Sequence, residues 1–226
     1  MDEPQQLTPK AIRTRQHILD TAIALFASQG YEETTMRDIA KAAECSIGLT
    51  YRYYDGKDDL VMALYQQLSV EYLAYLDGLE PASMAELFRQ AMTAKIEQVL
   101  PYRESMSALF SAMMNPKSTI AVLGDNTAPI RSDSVQAFTD LVRKATDAPK
   151  ELQIGQIAML FYSAHLLVLL FWMYDRTPNY KATAQLLDFA HKTMGMLRPM
   201  LLLPPVAKSL ARFATIIEPV FGKSAL

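Results

Sequence analysis

Apolar residues recur along the chain with the three- and four-residue spacing of amphipathic α-helices. The first stripe predicts a helix over about residues 9–29, and Gly30 follows where a C-terminal cap is expected. That stripe consists of Ile18, Leu19, Ala22, Ile23 and Phe26. The strict alternation of apolar and polar positions that marks a β-strand is nearly absent, so the pattern indicates an all-α protein.

Two short helices are predicted next, separated by a turn. Thr35 and Asp38 have the hydroxyl-then-acid spacing of a capping box, which starts a helix over about residues 36–43. Ser46 is a candidate N-cap for a second helix, which ends at Tyr53. Two helices of about eight residues joined by a short turn form the outline of a helix-turn-helix, whose second helix can enter the major groove of DNA.

Longer helices are predicted after this segment, separated by proline and glycine. The first begins near Asp58 and Asp59, whose carboxylates suit the positive end of a helix dipole. The others cover about residues 83–100, 102–114, 129–146, 150–175, 180–200 and 206–221. We therefore expect an all-α protein with an N-terminal three-helix helix-turn-helix domain at residues 1–55 and a larger C-terminal helical bundle at residues 56–226.

The segment from Thr35 to Tyr54, followed by Lys57, resembles the tetracycline-repressor (TetR) family of transcriptional regulators. The sequence TMRDIAKAAECSIGLTYRYY agrees with the family pattern Thr-x-x-x-Ile-Ala-x-x-Ala-Gly-Val-Ser-x-Gly-x-x-Tyr-x-(His/Tyr)-Phe at most of its fixed positions. The close match covers roughly residues 12–65. A pattern of this length is far more specific than a lone glycine motif.

The resemblance implies that ten residues take part in DNA binding. They are Thr35, Arg37, Ser46, Ile47, Gly48, Leu49, Tyr51, Arg52, Tyr53 and Lys57. Phosphate contacts, which fix the position on DNA, are expected from Thr35, Tyr51, Tyr53 and Lys57. Base edges would be met by Ile47, Gly48 and Leu49, with Arg37 and Arg52 assisting. Glycine inside a helix costs roughly 1 kcal/mol, but a bare backbone at position 48 would permit close approach to DNA.

Three residues differ from what is usual in the family in ways that bear on structure. Glu44 replaces the usual glycine in the turn, at a cost on the order of 1 kcal/mol if its backbone is left-handed. Thr50 stands where a larger apolar residue is common, which weakens packing slightly. Tyr54 replaces phenylalanine, so we expect its hydroxyl to lie near solvent or a partner. Cys45 is expected to be a small buried hydrophobe.

Metal, cofactor and catalytic chemistry find no support in the sequence. A single cysteine excludes an internal disulfide, and the three histidines lack the spacing of metal ligands. We therefore expect no metal and no cofactor. A helical-bundle enzyme is an alternative, but the sequence contains no catalytic motif that supports it. The first residues contain no apolar segment of a secretory signal, so the expected location is the cytoplasm.

The uncharged run at residues 157–174 reaches the length of a membrane span. A helix that is hydrophobic all round also suits the core of a dimeric bundle. The resemblance implies a four-helix dimer interface built from the last long helices, so a homodimer through helices near residues 150–200 is expected, with no membrane. A membrane-associated helical protein using this run is the alternative from a different class.

The resemblance further implies a repressor that binds a palindromic operator in double-stranded DNA and is released by a small effector. Methionines are concentrated beyond residue 80, which favours flexible filling of an apolar core; the alternative is an adaptable apolar cavity for an apolar or aromatic compound. Candidate cavity residues, chosen without a spacing rule, are Tyr102, Phe110, Met113, Phe161, His165 and Trp172. A ligand-independent regulator and an activator of the same fold remain open.

The charge of the chain argues against nucleic acid when taken alone. The 226 residues carry a net charge of −2, and residues 1–60 contain seven basic and ten acidic side chains. Nucleic-acid-binding domains usually have a basic excess. Non-specific DNA binding depends almost wholly on phosphate electrostatics. We therefore expect weak non-specific affinity, with binding that depends on a few placed contacts and weakens readily in salt.

Overall fold

The computed structural model describes residues 8–221, of which residues 201, 202, 218, 220 and 221 are described only as backbone. Within that range all regular structure is helical, which confirms the all-α class. The α-helices are α1 Pro9–Gln29, α2 Met36–Ala42, α3 Ile47–Tyr53, α4 Lys57–Asp77, α5 Met84–Val99, α6 Arg103–Met114, α7 Ala128–Arg143, α8 Glu151–Tyr174, α9 Lys181–Leu197 and α10 Pro204–Phe221. The predicted helices are confirmed to within three residues at either end.

The described residues divide into two compact units. One contains the chain up to Gln67 together with Tyr102–Gly124, and the other contains Leu68–Pro101 and the chain from Asp125 onward. The boundary expected at residue 55 marks a division of function and stays a prediction. The units group residues 56–67 and 102–124 with the helix-turn-helix, a grouping that helical periodicity does not reveal.

The first unit is organised around α1. Thr8 caps this helix by accepting a hydrogen bond from the backbone N–H of Ala11 at 3.3 Å. Gly30 ends it with a φ of 93°, a left-handed conformation that favours glycine. The predicted stripe from Ile18 to Phe26 is buried, and α6 packs along α1, where the Ser105 hydroxyl donates to the backbone carbonyl of Ile23 at 3.0 Å.

The second unit has an apolar core in which α5, α7 and α8 contribute aromatic side chains. The ring of Phe88 lies 4.8 Å from that of Phe161 and 6.4 Å from that of Phe138, centroid to centroid. At the start of α9 the buried carboxylate of Asp175 accepts hydrogen bonds from Thr177 and Thr183. These hydrogen bonds hold the pKa of the Asp175 carboxyl well below its usual range.

Helix α8 contains the uncharged run predicted at residues 157–174. By length and composition it could cross a membrane, yet 44% of its most apolar window is buried within the protein. Its exposed apolar side chains include Leu167, Phe171 and Tyr174, which are 66%, 43% and 65% exposed. The spacing of these three residues places them along one side of the helix. Helix α8 therefore supplies one side to the core and leaves an apolar stripe uncovered.

Candidate DNA-binding site

Helix α2 begins with the capping box that the sequence predicts. The Thr35 hydroxyl accepts a hydrogen bond from the Asp38 backbone N–H at 3.2 Å, and the Asp38 carboxylate accepts one from the Thr35 backbone N–H at 2.9 Å. Hydrogen bonding by Thr35 is also what lowers the pKa of the Asp38 carboxyl. Both side chains thus fix the start of α2, and Thr35 remains exposed to solvent.

The turn after α2 closes as a Schellman motif. The backbone N–H of Cys45 donates to the carbonyl of Ala40 at 2.9 Å, and that of Glu44 donates to the carbonyl of Lys41 at 3.2 Å. Glu44 has a φ of 51°, so its backbone is left-handed, as considered from the sequence. A residue with a Cβ atom disfavours this conformation. Cys45 is half-buried, so the expectation of a buried hydrophobe is wrong, because its neighbours Glu44 and Ser46 in the turn are exposed.

Helix α3 presents one face to solvent. Ser46 caps it by accepting a hydrogen bond from the Leu49 backbone N–H at 3.1 Å. Ile47 and Tyr51 are 40% and 50% exposed, large values for such side chains. A Cβ added to Gly48 would meet no atom within 4 Å. Packing inside the chain therefore does not require glycine at position 48, and the helix backbone is bare on its outer side.

The opposite face of α3 is anchored in the unit. Thr50 is fully buried, and its hydroxyl donates to the Ser46 carbonyl at 3.2 Å instead of filling the core as a larger side chain would. Tyr54 is 1% exposed, and its hydroxyl donates to the backbone carbonyl of Arg15 at 3.1 Å. The partner expected for this hydroxyl is thus on α1. Burial raises the pKa of Tyr54.

Lys57 is tied to the loop after α1. Its ammonium donates to the carbonyls of Tyr31 and Glu32 at 2.6 and 3.2 Å, and it lies 4.5 Å from the centroid of the Tyr31 ring. The ammonium therefore stabilises the loop that precedes the helix-turn-helix. Its expected contact with a DNA phosphate stays a prediction, because the side chain already has two acceptors within the protein.

Asp58 makes two tertiary hydrogen bonds that the sequence pattern does not predict. Its carboxylate accepts hydrogen bonds from the hydroxyls of Tyr31 and Thr119, which lie 27 and 61 residues away along the chain. Burial and the Asp58 hydrogen bond raise the pKa of Tyr31. Helix-dipole reasoning accounts only for an acid at this place in α4. Its two partners become adjacent only in the folded unit, so no local spacing indicates them.

All ten residues expected to bind DNA lie in the first unit, on α2, on α3, at their caps or at the start of α4. Leu49, Tyr53 and Lys57 are partly buried. The other seven are exposed, namely Thr35, Arg37, Ser46, Ile47, Gly48, Tyr51 and Arg52. Their roles in DNA binding stay predictions. The exposed set includes the two arginines and the bare backbone of α3, a combination suited to phosphates and base edges.

The six residues expected to line an effector cavity are divided between the units. Tyr102, Phe110 and Met113 are partly buried in the first unit, whereas Phe161, His165 and Trp172 are buried on α8 in the second. Phe161 and His165 both contact the ring of Phe138, at centroid distances of 6.3 and 5.6 Å. Trp172 lies 6.0 Å from the ring of Tyr180. Their role as a cavity lining stays a prediction.

Across residues 8–221 no group of three or more histidine, cysteine, aspartate or glutamate side chains is placed to hold a metal ion.

Comparison with known proteins points to one family. Residues 18–64 match the model of "Bacterial regulatory proteins, tetR family". The transcriptional regulator AcrR of Shigella flexneri is 38% identical over 82 residues, which cover 33% of this chain and 38% of that protein. An Escherichia coli K12 protein, "Probable acrEF/envCD operon repressor", is 33% identical over 88 residues, covering 39% and 34%. This chain thus matches little more than a third of either relative's length.

Solved structures share the fold over most of the chain. A TetR-family transcriptional regulator from Syntrophomonas wolfei has a TM-score of 0.67 at 19% identity, covering 85% of this chain and 98% of that one. Salmonella enterica GusR has a TM-score of 0.63 at 20% identity, covering 88% and 97%. The matched family model contains α2, the turn and α3, whose geometry is described above. Residues 18–64 thus match the tetR family of bacterial regulatory proteins, and the chain as a whole has the fold of solved structures from that family.

Proposed function

We propose that the protein is a sequence-specific DNA-binding transcriptional regulator, acting as a repressor that binds a palindromic operator as a homodimer. The exposed face of α3 carries this proposal, because its centre at Gly48 is bare and open while its opposite face is anchored through Thr50 and Tyr54. A helix held firmly on one side and free on the other is suited to enter a major groove about 12 Å wide.

Contacts with DNA follow from the exposures around α3. Ile47 and Leu49 flank the bare backbone of Gly48 and meet base edges. Tyr51 and Tyr53 direct phenolic hydroxyls to phosphates, and the exposed guanidinium groups of Arg37 and Arg52 add charge. Phosphate contacts position α3 in the groove, and the apolar contacts with base edges give the preference for sequence. The protein acts in the cytoplasm in this account and performs no catalytic step.

Self-association is supported by apolar stripes on two successive helices. On α8 the stripe contains Leu167, Phe171 and Tyr174, and on α9 Phe189 and Met196 are 66% and 72% exposed. Apolar surface of this kind is stabilised by burial against a second copy, at about 25 cal/mol for each Å² removed from water. A two-fold dimer presents two copies of α3 to a palindromic site. Light scattering should therefore give twice the chain mass of 25.3 kDa in detergent-free buffer.

Release by an effector completes the proposal. A small apolar or aromatic compound that binds the second unit would favour a dimer whose copies of α3 no longer match the half-site spacing. Because the ligand prefers that state, it shifts the population away from the DNA-binding one. The aromatic core around Phe138, with the polar side chain of His165 inside it, supports such binding.

The proposal is tested with the DNA upstream of the protein's own gene. Fluorescence anisotropy should give saturable binding that weakens steeply as salt rises, since phosphate contacts release counterions. Tyr53→Phe removes one phosphate contact and should weaken binding to all sequences to a similar extent. Tyr75→Phe, at an exposed tyrosine on α4 outside the helix-turn-helix and the two apolar stripes, is the matched control and should bind DNA as the parent does. Parent-like binding by Tyr53→Phe would remove Tyr53 from the site, and no saturable binding would refute the proposal.

A further inference from the structure

A lysine lies on the apolar side of α5 in the second unit. Lys95 follows the buried Met92 by three residues and precedes the buried Val99 by four, so it continues a buried stripe. Its ammonium lies 4.4 Å from the centroid of the Tyr72 ring and donates to the Gln98 side-chain carbonyl at 3.0 Å. Within the described chain it forms no salt bridge with a carboxylate. Burial lowers the pKa of Lys95 to about 8.

A histidine contacts the same tyrosine. His165 on α8 is 5% exposed, and its ring meets the rings of Tyr72 and Phe138 edge-on, at centroid distances of 5.9 and 5.6 Å. Its Nδ1 atom is buried without a hydrogen-bond partner. Burial, together with the charge of Lys95, lowers the pKa of His165 to about 3. The ring is therefore neutral at physiological pH and has one N–H to donate.

These two groups remain incompletely satisfied in the folded chain. A cation that is largely withdrawn from water normally has an anionic partner, and a buried ring nitrogen normally has a hydrogen bond. We propose that Lys95 and His165 bind the head group of a small apolar monocarboxylate, the carboxylate pairing with the ammonium and accepting a hydrogen bond from the imidazole. One cation suits one negative charge, and the aromatic side chains of Phe138 and Phe161 suit an apolar body. This inference rests on the proposed function, because the acid would be the effector.

Other charged and titratable groups near this pair set its pH dependence. Glu71 on α4 favours the charged form of Lys95, and Tyr162 on α8 lies 6.0 Å from His165, ring to ring. Burial raises the pKa of Tyr162 to about 12, and Arg131 on α7 opposes that shift. Lys95 is the group that titrates near neutrality. Carboxylate binding therefore weakens as the pH rises through about 8, where the ammonium of the free protein loses its proton.

The test uses the full chain without DNA, so that its result is independent of operator binding. Straight-chain acids from hexanoate to dodecanoate, phenylacetate and 4-phenylbutyrate are titrated by calorimetry at pH 7, each beside its primary amide. At least one acid should bind, and at least about tenfold more tightly than its amide, as expected for a hydrogen bond to a charged group. Lys95→Met should remove that preference and leave amide affinity within about twofold of the parent.

Two further variants separate binding from folding. Lys150→Met removes an exposed lysine at the start of α8 and should bind the acids as the parent does. His165→Phe keeps the aromatic contacts, removes the ring nitrogens and should weaken acid binding by at least about threefold. The inference is overturned if no acid in the series binds, if acids and amides bind equally, or if folded Lys95→Met retains the preference. If Lys95→Met does not fold, the parent's loss of acid affinity between pH 7 and pH 9.5 decides, and a constant affinity overturns the inference.

Discussion

Replacing Gly48 with alanine should make the protein more stable and a poorer DNA binder. Alanine is favoured over glycine inside a helix by roughly 1 kcal/mol, and position 48 lies within α3. The added methyl meets no atom within 4 Å, so no clash opposes the gain. For a chain of this length, about 1 kcal/mol raises the melting temperature by roughly 2–4 °C.

The same methyl should interfere with DNA. It projects from the outer face of α3, between Ile47 and Leu49, where the backbone is proposed to approach base edges. Displacing the helix from the groove removes several contacts at once, and the operator affinity of Gly48→Ala should fall at least about tenfold. Differential scanning fluorimetry measures the stability, and anisotropy with operator DNA measures the affinity.

A second glycine provides the matched control. Gly195 lies inside α9, is exposed, and likewise has no atom within 4 Å of an added Cβ. Helical spacing places Gly195 off the α9 stripe that contains Phe189 and Met196, so Gly195→Ala should raise the melting temperature by a similar amount without changing DNA affinity. Operator binding by Gly48→Ala equal to that of the parent would refute the orientation assigned to α3. A fall in its melting temperature would contradict the open environment of Gly48.

Three further substitutions test the residues that hold the helix-turn-helix in place. Glu44→Gly should stabilise the chain by about 1 kcal/mol in urea unfolding, because glycine accepts the left-handed backbone, and a loss would contradict that strain. Tyr54→Phe should destabilise it by about 1 kcal/mol through the lost hydrogen bond to the Arg15 carbonyl, whereas unchanged stability would show that bond to be dispensable. Lys57→Met should lower both stability and affinity for all DNA sequences; if only stability falls, Lys57 contacts no phosphate.

The helices and their caps could be predicted because their signals are local. The stripe on α1, the capping box at Thr35 and the cap at Ser46 each depend on residues within one or two turns. The strained turn at Glu44 was anticipated for a different reason, since the family pattern has glycine there. The side-chain exposures around Gly48 agree with the resemblance, although the net charge of residues 1–60 argues against DNA.

Tertiary contacts could not be predicted, because their partners are distant along the chain. Nothing near Asp58 indicates Thr119, and nothing near His165 indicates Tyr72. A usable signal does exist for Lys95, a lysine placed on an apolar helical stripe, where a charge is costly to bury. A charge at a position where the helical spacing calls for an apolar residue therefore marks Lys95 in the sequence alone.

Selection of bound sequences from random double-stranded DNA tests the central claim most directly. A two-fold dimer carrying two copies of α3 predicts a palindromic consensus with a fixed spacing between its half-sites. Because residues 1–60 contain more acidic than basic side chains, enrichment should be strong and should require low salt. Random sequence among the bound fraction, or a consensus without two-fold symmetry, would contradict a dimeric operator-binding regulator.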